Sequence, residues 1–240
     1  MDLQLLKELN AARAKRQAVI MVTPVDGGAQ RLVHEGGIGN DDPIAADLAK
    51  HFRSTKSAMI ESPSGDLFLT VHVPPPRLVI IGAVHISQAM APMARIAGFD
   101  LTIIDPRTAF ATDSRFTDTD LLAEWPEDIW AQLAVDRFTA LAALTHDPKI
   151  DDFPLKHGLL QGCFYVGALG SRKTHAKRIE RLTQAGVSEA DLARIHAPIG
   201  LDLGAQSPAE IAVAVLAQII EAWRRRPVEA LAEPVAGEAA

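Results

Sequence analysis

The chain has 240 residues, 48% of them apolar, enough for one large α/β domain with a small appendage and too few for two full domains of that size. A formal net charge of −6 leaves no global basic footprint for nucleic acid, and no run approaches the roughly 20 apolar residues of a membrane span. The lone cysteine, Cys163, excludes an internal disulfide and a cysteine-only metal cluster.

Residues 1–17 carry Leu3, Leu6 and Leu9 at helical spacing and lack the unbroken apolar segment of a signal peptide, so a first helix and a cytoplasmic protein are expected. Residues 18–25 read as a strand and Asp26-Gly27-Gly28 as a turn. Residues 41–52 read as a short helix capped by Asp41 or Asp42, and the glycine-rich stretch 35–39 as a mobile turn rather than a phosphate loop. The apolar runs 57–61 and 66–73, joined by Ser62-Pro63-Ser64-Gly65, form a hairpin signal. Residues 1–73 are thus expected to make a small α+β unit. Pro74-Pro75-Pro76 can continue neither a ladder nor a helix and reads as a stiff linker.

From Arg77 the pattern alternates. Strands are expected at 77–82, 101–105, 138–145 and 163–168, with a weaker one near 119–123, and helices at 86–97, 127–133, 152–160, 171–184, 188–194 and 208–224. Parallel strands need crossovers, so this alternation predicts a Rossmann-like, mainly parallel sheet with helices on both faces over 77–226. Ser207, Pro208 and Glu210 supply a cap, a first-turn proline and a capping box for the last helix. Residues 227–240 lack a packing pattern and read as a disordered tail.

Ligands of such sheets bind beyond the carboxyl ends of the strands, so the residues that follow each strand are the candidates. Gly82-Ala83-Val84-His85 opens like a dinucleotide loop, but Val84 stands where the second glycine of G-x-G-x-x-G would let a pyrophosphate press on bare backbone, and Ser87 takes the third place. NAD(P) is therefore disfavoured. Asp105, in Asp105-Pro106-Arg107, falls about 20 residues later, where an acidic group takes a ribose hydroxyl. Thr145-His146-Asp147 ends another strand. His146 and Asp147 are expected to point to opposite sides of it and to line the crevice separately. Gly167-Ala168-Leu169-Gly170-Ser171-Arg172 runs from strand through turn to a helix whose first turn carries Arg172 and Lys173, with His175 following. Cations disfavour a helix N-terminus, and a bound anion would reverse that penalty. The irregular segment 196–204 brings His196 and Asp202 as a hydrogen-bonding or acid–base pair. Cys163 has no histidine beside it and reads as inert, and the eight histidines show no zinc spacing.

The segments GAVHISQ, TIIDPRTAFAT, LTHDPK, YVGALGSRKTHAKR and HAPIGLDLGA, in this order from about Arg77 to Arg224, resemble the C-terminal Rossmann-like domain of the XdhC/CoxI family. The resemblance implies an accessory protein of molybdenum hydroxylases of the xanthine dehydrogenase or carbon monoxide dehydrogenase type. Such a protein would bind molybdenum cofactor, as molybdopterin or its cytidine dinucleotide, and assist its sulfuration with a cysteine desulfurase. It would then deliver the cofactor to the apoenzyme, acting as a homodimer and as a carrier more than a catalyst. On this reading Gly82, His85, Asp105, Arg107, His146, Asp147, Gly167, Gly170, Ser171, Arg172, His175, His196 and Asp202 rim the cofactor site, with no resident metal. Two departures stand out: the family's Gly-x-Gly-His is Gly82-Ala83-Val84-His85 here, and the N-terminal unit is shorter. From the residues alone, an NAD(P)-dependent oxidoreductase and a ligand-free Rossmann-like interaction module are the alternatives.

Overall fold

A computed structural model describes residues 2–228, in two compact units: residues 2–74 together with 224–228, and Pro75–Trp223. The expected tail, 227–240, lies outside the described residues from position 229 on.

The first unit holds helix α1 (Leu3–Ala14) and an antiparallel sheet of β1 (Val19–Pro24), β2 (Arg31–His34), β3 (Ala58–Ser62) and β4 (Gly65–His72) in the order β2-β1-β4-β3, with α2 (Ala45–Ser54). Val19 to Val22 are all buried, which is why this run is readable as a strand, whereas β2 buries only Val33 and carries no alternation to read. Residues 35–37 form a 3-10 turn with Glu35 buried. Arg226 donates from Nη2 to the Phe52 carbonyl at 2.8 Å, which ties the segment after the last helix into this unit.

The second unit is a six-stranded sheet, parallel throughout. Its strands are β5 (Arg77–Ile81), β6 (Asp100–Ile104), β7 (Asp120–Leu122), β8 (Thr139–Ala143), β9 (Tyr165–Ala168) and β10 (Ile195–His196), in the order β10-β9-β8-β5-β6-β7. The chain adds strands outward from β5 in one direction, then returns to β8 and builds in the other. This is the doubly wound order, with its switch point between β5 and β8. Alternate residues of β5 feed two cores: Leu78 and Ile80 pack with Met90 and Ala94 of α3 (His85–Ile96) and with Val215 and Ile219 of α8 (Pro208–Arg225). Val79 and Ile81 face the other side, where they meet Ile150, Leu155 and Leu159 of α5 (Pro148–Leu160) and Leu182 of α6 (Arg172–Gln184). Two short helices, α4 (Pro126–Ile129) and α7 (Glu189–Leu192), complete that layer.

Several boundaries move from their expected places. The apolar run 138–145 stops pairing as a strand at Ala143. The Thr145 hydroxyl then accepts the Asp147 N–H at 3.1 Å, and His146 takes a left-handed φ of 63°. Helix α5 starts at Pro148, not near 152, because Asp147 caps it by accepting the Lys149 N–H at 3.0 Å and proline suits a first helical position. The two-residue β10 was not expected at all and forms inside a segment rich in glycine and proline.

Candidate functional site

The switch point itself is tightly closed. Gly82, at φ +118°, leaves no room for a side chain, since a Cβ there would stand 2.9 Å from the Thr145 methyl. The Gly82 N–H donates to the Ile104 carbonyl at 2.7 Å, the Ala83 N–H to Asp105 Oδ2 at 2.8 Å and the Val84 N–H to Ser87 Oγ at 2.9 Å. Buried Ser87 in turn donates within reach of the Gly82 and Val84 carbonyls. The turn that greets a pyrophosphate in dinucleotide-binding proteins here satisfies its own amides, and Val84 is half-buried over it.

Asp105 is fully buried and already accepts four hydrogen bonds: from Ala83 N–H, and from the N–H, Nε and Nη2 of Arg107 at 2.8–3.0 Å. A carboxylate offers about four acceptor positions, so none is left for a ribose hydroxyl. This corrects the expectation for Asp105: its role is to lock the turn at Ala83 to the loop at Arg107. Burial opposes its charge, but the Arg107 fork and the two amides outweigh it and hold the carboxyl below the usual range. The Arg107 guanidinium lies 4.6 Å over the Phe110 ring, and the Asp105 contact, with smaller help from the Asp147 and Asp151 charges, raises its proton affinity.

One strand farther along, beyond the ends of β8 and β9, a cleft of about 300 Å³ opens between the first half of α5 and the first three turns of α6. His146, Pro148, Asp151 and Asp152 line it from one side, and Lys173, Thr174, Lys177, Arg178 and Arg181 from the other. Asp152 and Arg181 pair in a two-pronged bridge, with contacts of 2.5 and 2.9 Å. Asp151 and Arg178 do not pair. Both are buried, at 1% and 2% exposure. Asp151 Oδ1 accepts from the Thr145 hydroxyl at 2.6 Å and Arg178 Nη2 donates to the Leu169 carbonyl at 2.9 Å. Asp151 Oδ2 and Arg178 Nε and Nη1 are left without partners. Burial pushes the Asp151 carboxyl up to about 6 against the pull of Thr145 and Arg178, and it draws the Arg178 guanidinium down.

Of the residues expected at the site, His146 reaches this cleft. His146 and Asp147 do not flank a strand end as expected, since one occupies the left-handed turn and the other caps α5. Gly170, at φ +138°, makes the turn into α6, where the Ser171 oxygen accepts the Thr174 N–H at 3.2 Å and lies 3.0 Å from the Thr174 hydroxyl. Arg172 is exposed and absent from the lining, whereas the next residue, Lys173, is in it. Half-buried His175 keeps Nδ1 buried without a partner, and burial with the nearby Arg178 charge lowers its proton affinity. Gly167 belongs to the sheet, not the turn. A Cβ there would stand 2.5 Å from Tyr165 Oη and 2.7 Å from Ile199, so packing demands glycine. His196 stacks on Tyr165 with ring centres 4.7 Å apart, and burial lowers its proton affinity. Asp202 is exposed, and no hydrogen bond joins it to His196, so the expected pair is not formed. His85 is exposed at the head of α3. Buried Cys163 has its thiol pushed up to about 12 by burial, which fits an unreactive side chain.

The sequence reading missed Asp151, Lys177 and Arg178, the residues that make the cleft. Lys173 and Lys177 lie four apart on one helical face, with Arg178 one step round, a signal visible only once the α6 face is known to turn toward α5.

Residues 78–219 match the model of the XdhC Rossmann domain. The chain belongs to the XdhC family. It is 31% identical over 173 residues to the Escherichia coli protein YqeB, covering 70% of this chain and 31% of that protein. It is 31% identical to a Bacillus subtilis protein described as a probable xanthine dehydrogenase component, covering 67% of this chain and 47% of that protein. It is also 32% identical to the molybdenum cofactor insertion chaperone PaoD of Escherichia coli, covering 60% of this chain and 39% of that protein. The chain thus spans less than half the length of these relatives. A solved structure described as a xanthine dehydrogenase of Bacillus halodurans superposes with a TM-score of 0.65 at 24% identity, covering 94% of this chain and 69% of that one, and shows the shared fold. Among the described residues of this XdhC chain, no helix is long and apolar enough to cross a membrane, and no group of three or more acidic, histidine or cysteine side chains is placed to hold a metal ion.

Proposed function

We propose that this protein is a maturation factor for a molybdenum hydroxylase of the xanthine dehydrogenase or carbon monoxide dehydrogenase type: it binds molybdenum cofactor, holds it during sulfuration and hands it to the apoenzyme. The observation that carries this reading is the cleft between α5 and α6, where Lys173, Lys177 and Arg178 converge beyond the carboxyl ends of two parallel strands. The cargo is a pterin with a phosphate, as molybdopterin or its cytidine dinucleotide, and charge-assisted hydrogen bonds from Lys173 and Lys177 suit that phosphate. The relatives named for xanthine dehydrogenase and for cofactor insertion support the same reading. The dinucleotide alternative gains nothing from the structure, because the amides at Ala83 and Val84 and the carboxylate of Asp105 are already engaged. A cysteine desulfurase partner and a homodimer belong to the same proposal, and co-purification with mass measurement of the complex checks both.

The decisive assay is activation of a cofactor-free hydroxylase. Apoenzyme mixed with cofactor-loaded protein is expected to gain activity faster than apoenzyme given the same amount of free cofactor. Equal rates with and without the protein would contradict the proposal.

A further inference from the structure

The floor and the rim of the cleft ask for different chemistry. The rim is cationic: Lys173 and Lys177 are exposed on α6, with the Thr174 hydroxyl between them. The floor is made by the two buried lining residues, Asp151 and Arg178, which influence each other's charge yet leave Oδ2, Nε and Nη1 without hydrogen bonds. Unpartnered buried charges are costly, so what completes this floor must satisfy both signs at once. A phosphate would answer Arg178 and be repelled by Asp151. A metal cation would answer Asp151 and be repelled by Arg178. A planar ring edge that presents an N–H next to a carbonyl oxygen gives the carboxylate a donor and the guanidinium an acceptor without adding charge.

We propose that Asp151 and Arg178 read the 2-amino-4-oxo edge of a pterin ring: Asp151 Oδ2 accepts from the exocyclic amino N–H, and Arg178 Nε and Nη1 donate to the 4-oxo oxygen. Lys173 and Lys177 hold the phosphate at the rim. This deepens the proposed function, on which its biological meaning rests, and it assigns the specificity of the cleft to two residues outside the strand-end turns. Asp151 is held for the task from below, by the Thr145 hydroxyl at 2.6 Å, and Arg178 by the Leu169 carbonyl at 2.9 Å. Each anchor belongs to the segment that follows a strand, β8 in one case and β9 in the other, so the sheet fixes the spacing between donor and acceptor.

The test is titration of the full chain with three probes: a pterin monophosphate, the corresponding 2,4-dioxo ring monophosphate, which lacks the amino group, and inorganic phosphate. The wild type is expected to prefer the pterin over the dioxo ring by about tenfold or more, the worth of a hydrogen bond to a buried charge. Asp151→Asn, whose amide keeps the shape and the Thr145 contact, is expected to erase that preference without weakening phosphate binding. Arg178→Gln is expected to weaken both ring probes. Loss of the preference in Asp151→Asn with phosphate affinity retained supports the reader. Equal binding of the two rings by the wild type, or an undiminished preference in Asp151→Asn, overturns it. Titration of both proteins with molybdenum cofactor separates the two proposals. Tight, equal binding by wild type and Asp151→Asn removes the reader and spares the proposed function. No cofactor binding by a wild type that still selects the pterin edge removes the proposed function and spares the reader.

Discussion

Asp151 stands in a place that disfavours its charge. Its carboxyl, 1% exposed, is raised from the ordinary carboxylate range to about 6 by burial, although Arg178, Arg107 and Arg181 all bring positive charge toward it. A group whose folded value is raised contributes its stability fully below the unfolded value, and that contribution is lost as pH climbs through the folded one. For Asp151 the loss falls between about pH 4 and pH 6 and amounts to about 3 kcal/mol at neutrality. Asp151→Asn, neutral at every pH, should therefore match the wild type in urea unfolding near pH 4 and exceed it by about that amount near pH 8. A stability difference that does not change with pH would show that the carboxyl titrates normally. A residue that costs stability and is kept at the floor of a cleft is the trade expected of a binding group. Nothing in the sequence marks Asp151, which falls within the Asp151-Asp152 pair of an ordinary helix. Its neighbour Asp152 is bound by Arg181, and only the fold separates their fates.

Among the elements, β9 and the segment after β10 are fitted to one another at the width of a glycine. Tyr165 Oη donates to Gln218 Oε1 at 2.7 Å, the Gly200 N–H donates to the same oxygen at 2.9 Å, and Ile199 fills the space over Gly167. Gly167→Ala should cost about 1–3 kcal/mol in denaturant unfolding, since a methyl 2.5 Å from an anchored hydroxyl forces the sheet or the loop to move. An unchanged midpoint would mean that the loop gives way freely. The strands and most helices were legible because they carry the two periods, apolar runs for a sheet covered on both faces and a 3.6-residue stripe for the helices against it. Short or edge elements were not. Arg31–His34 buries one residue, Ile195–His196 is a two-residue strand, and the start of α5 is hidden because Asp147-Pro148 serves equally as a turn or as a cap with a first-turn proline.

For the molecule as a whole, a parallel sheet with helices on both faces was readable from alternation alone, and it directed attention to the carboxyl ends of the strands. The sequence also showed that the first turn lacks its second glycine. That Ser87 and Asp105 then absorb the turn's amides depends on contacts between residues 3 and 22 positions apart, which no local pattern displays. The candidate cleft therefore lies one strand away from the switch point, and it runs along α6 from Lys173 at the expected helix start to Lys177, Arg178 and Arg181 beyond it. The proposed delivery of cofactor rests on that cleft. Calorimetric titration of the full chain with molybdenum cofactor, comparing the wild type with Lys173→Ala/Lys177→Ala, tests it most directly. Saturable binding is expected for the wild type, and a loss of about tenfold or more in the double variant, with a smaller salt dependence, because two charge-assisted contacts to a phosphate are removed. Equal affinity and equal salt dependence in the two proteins would contradict it.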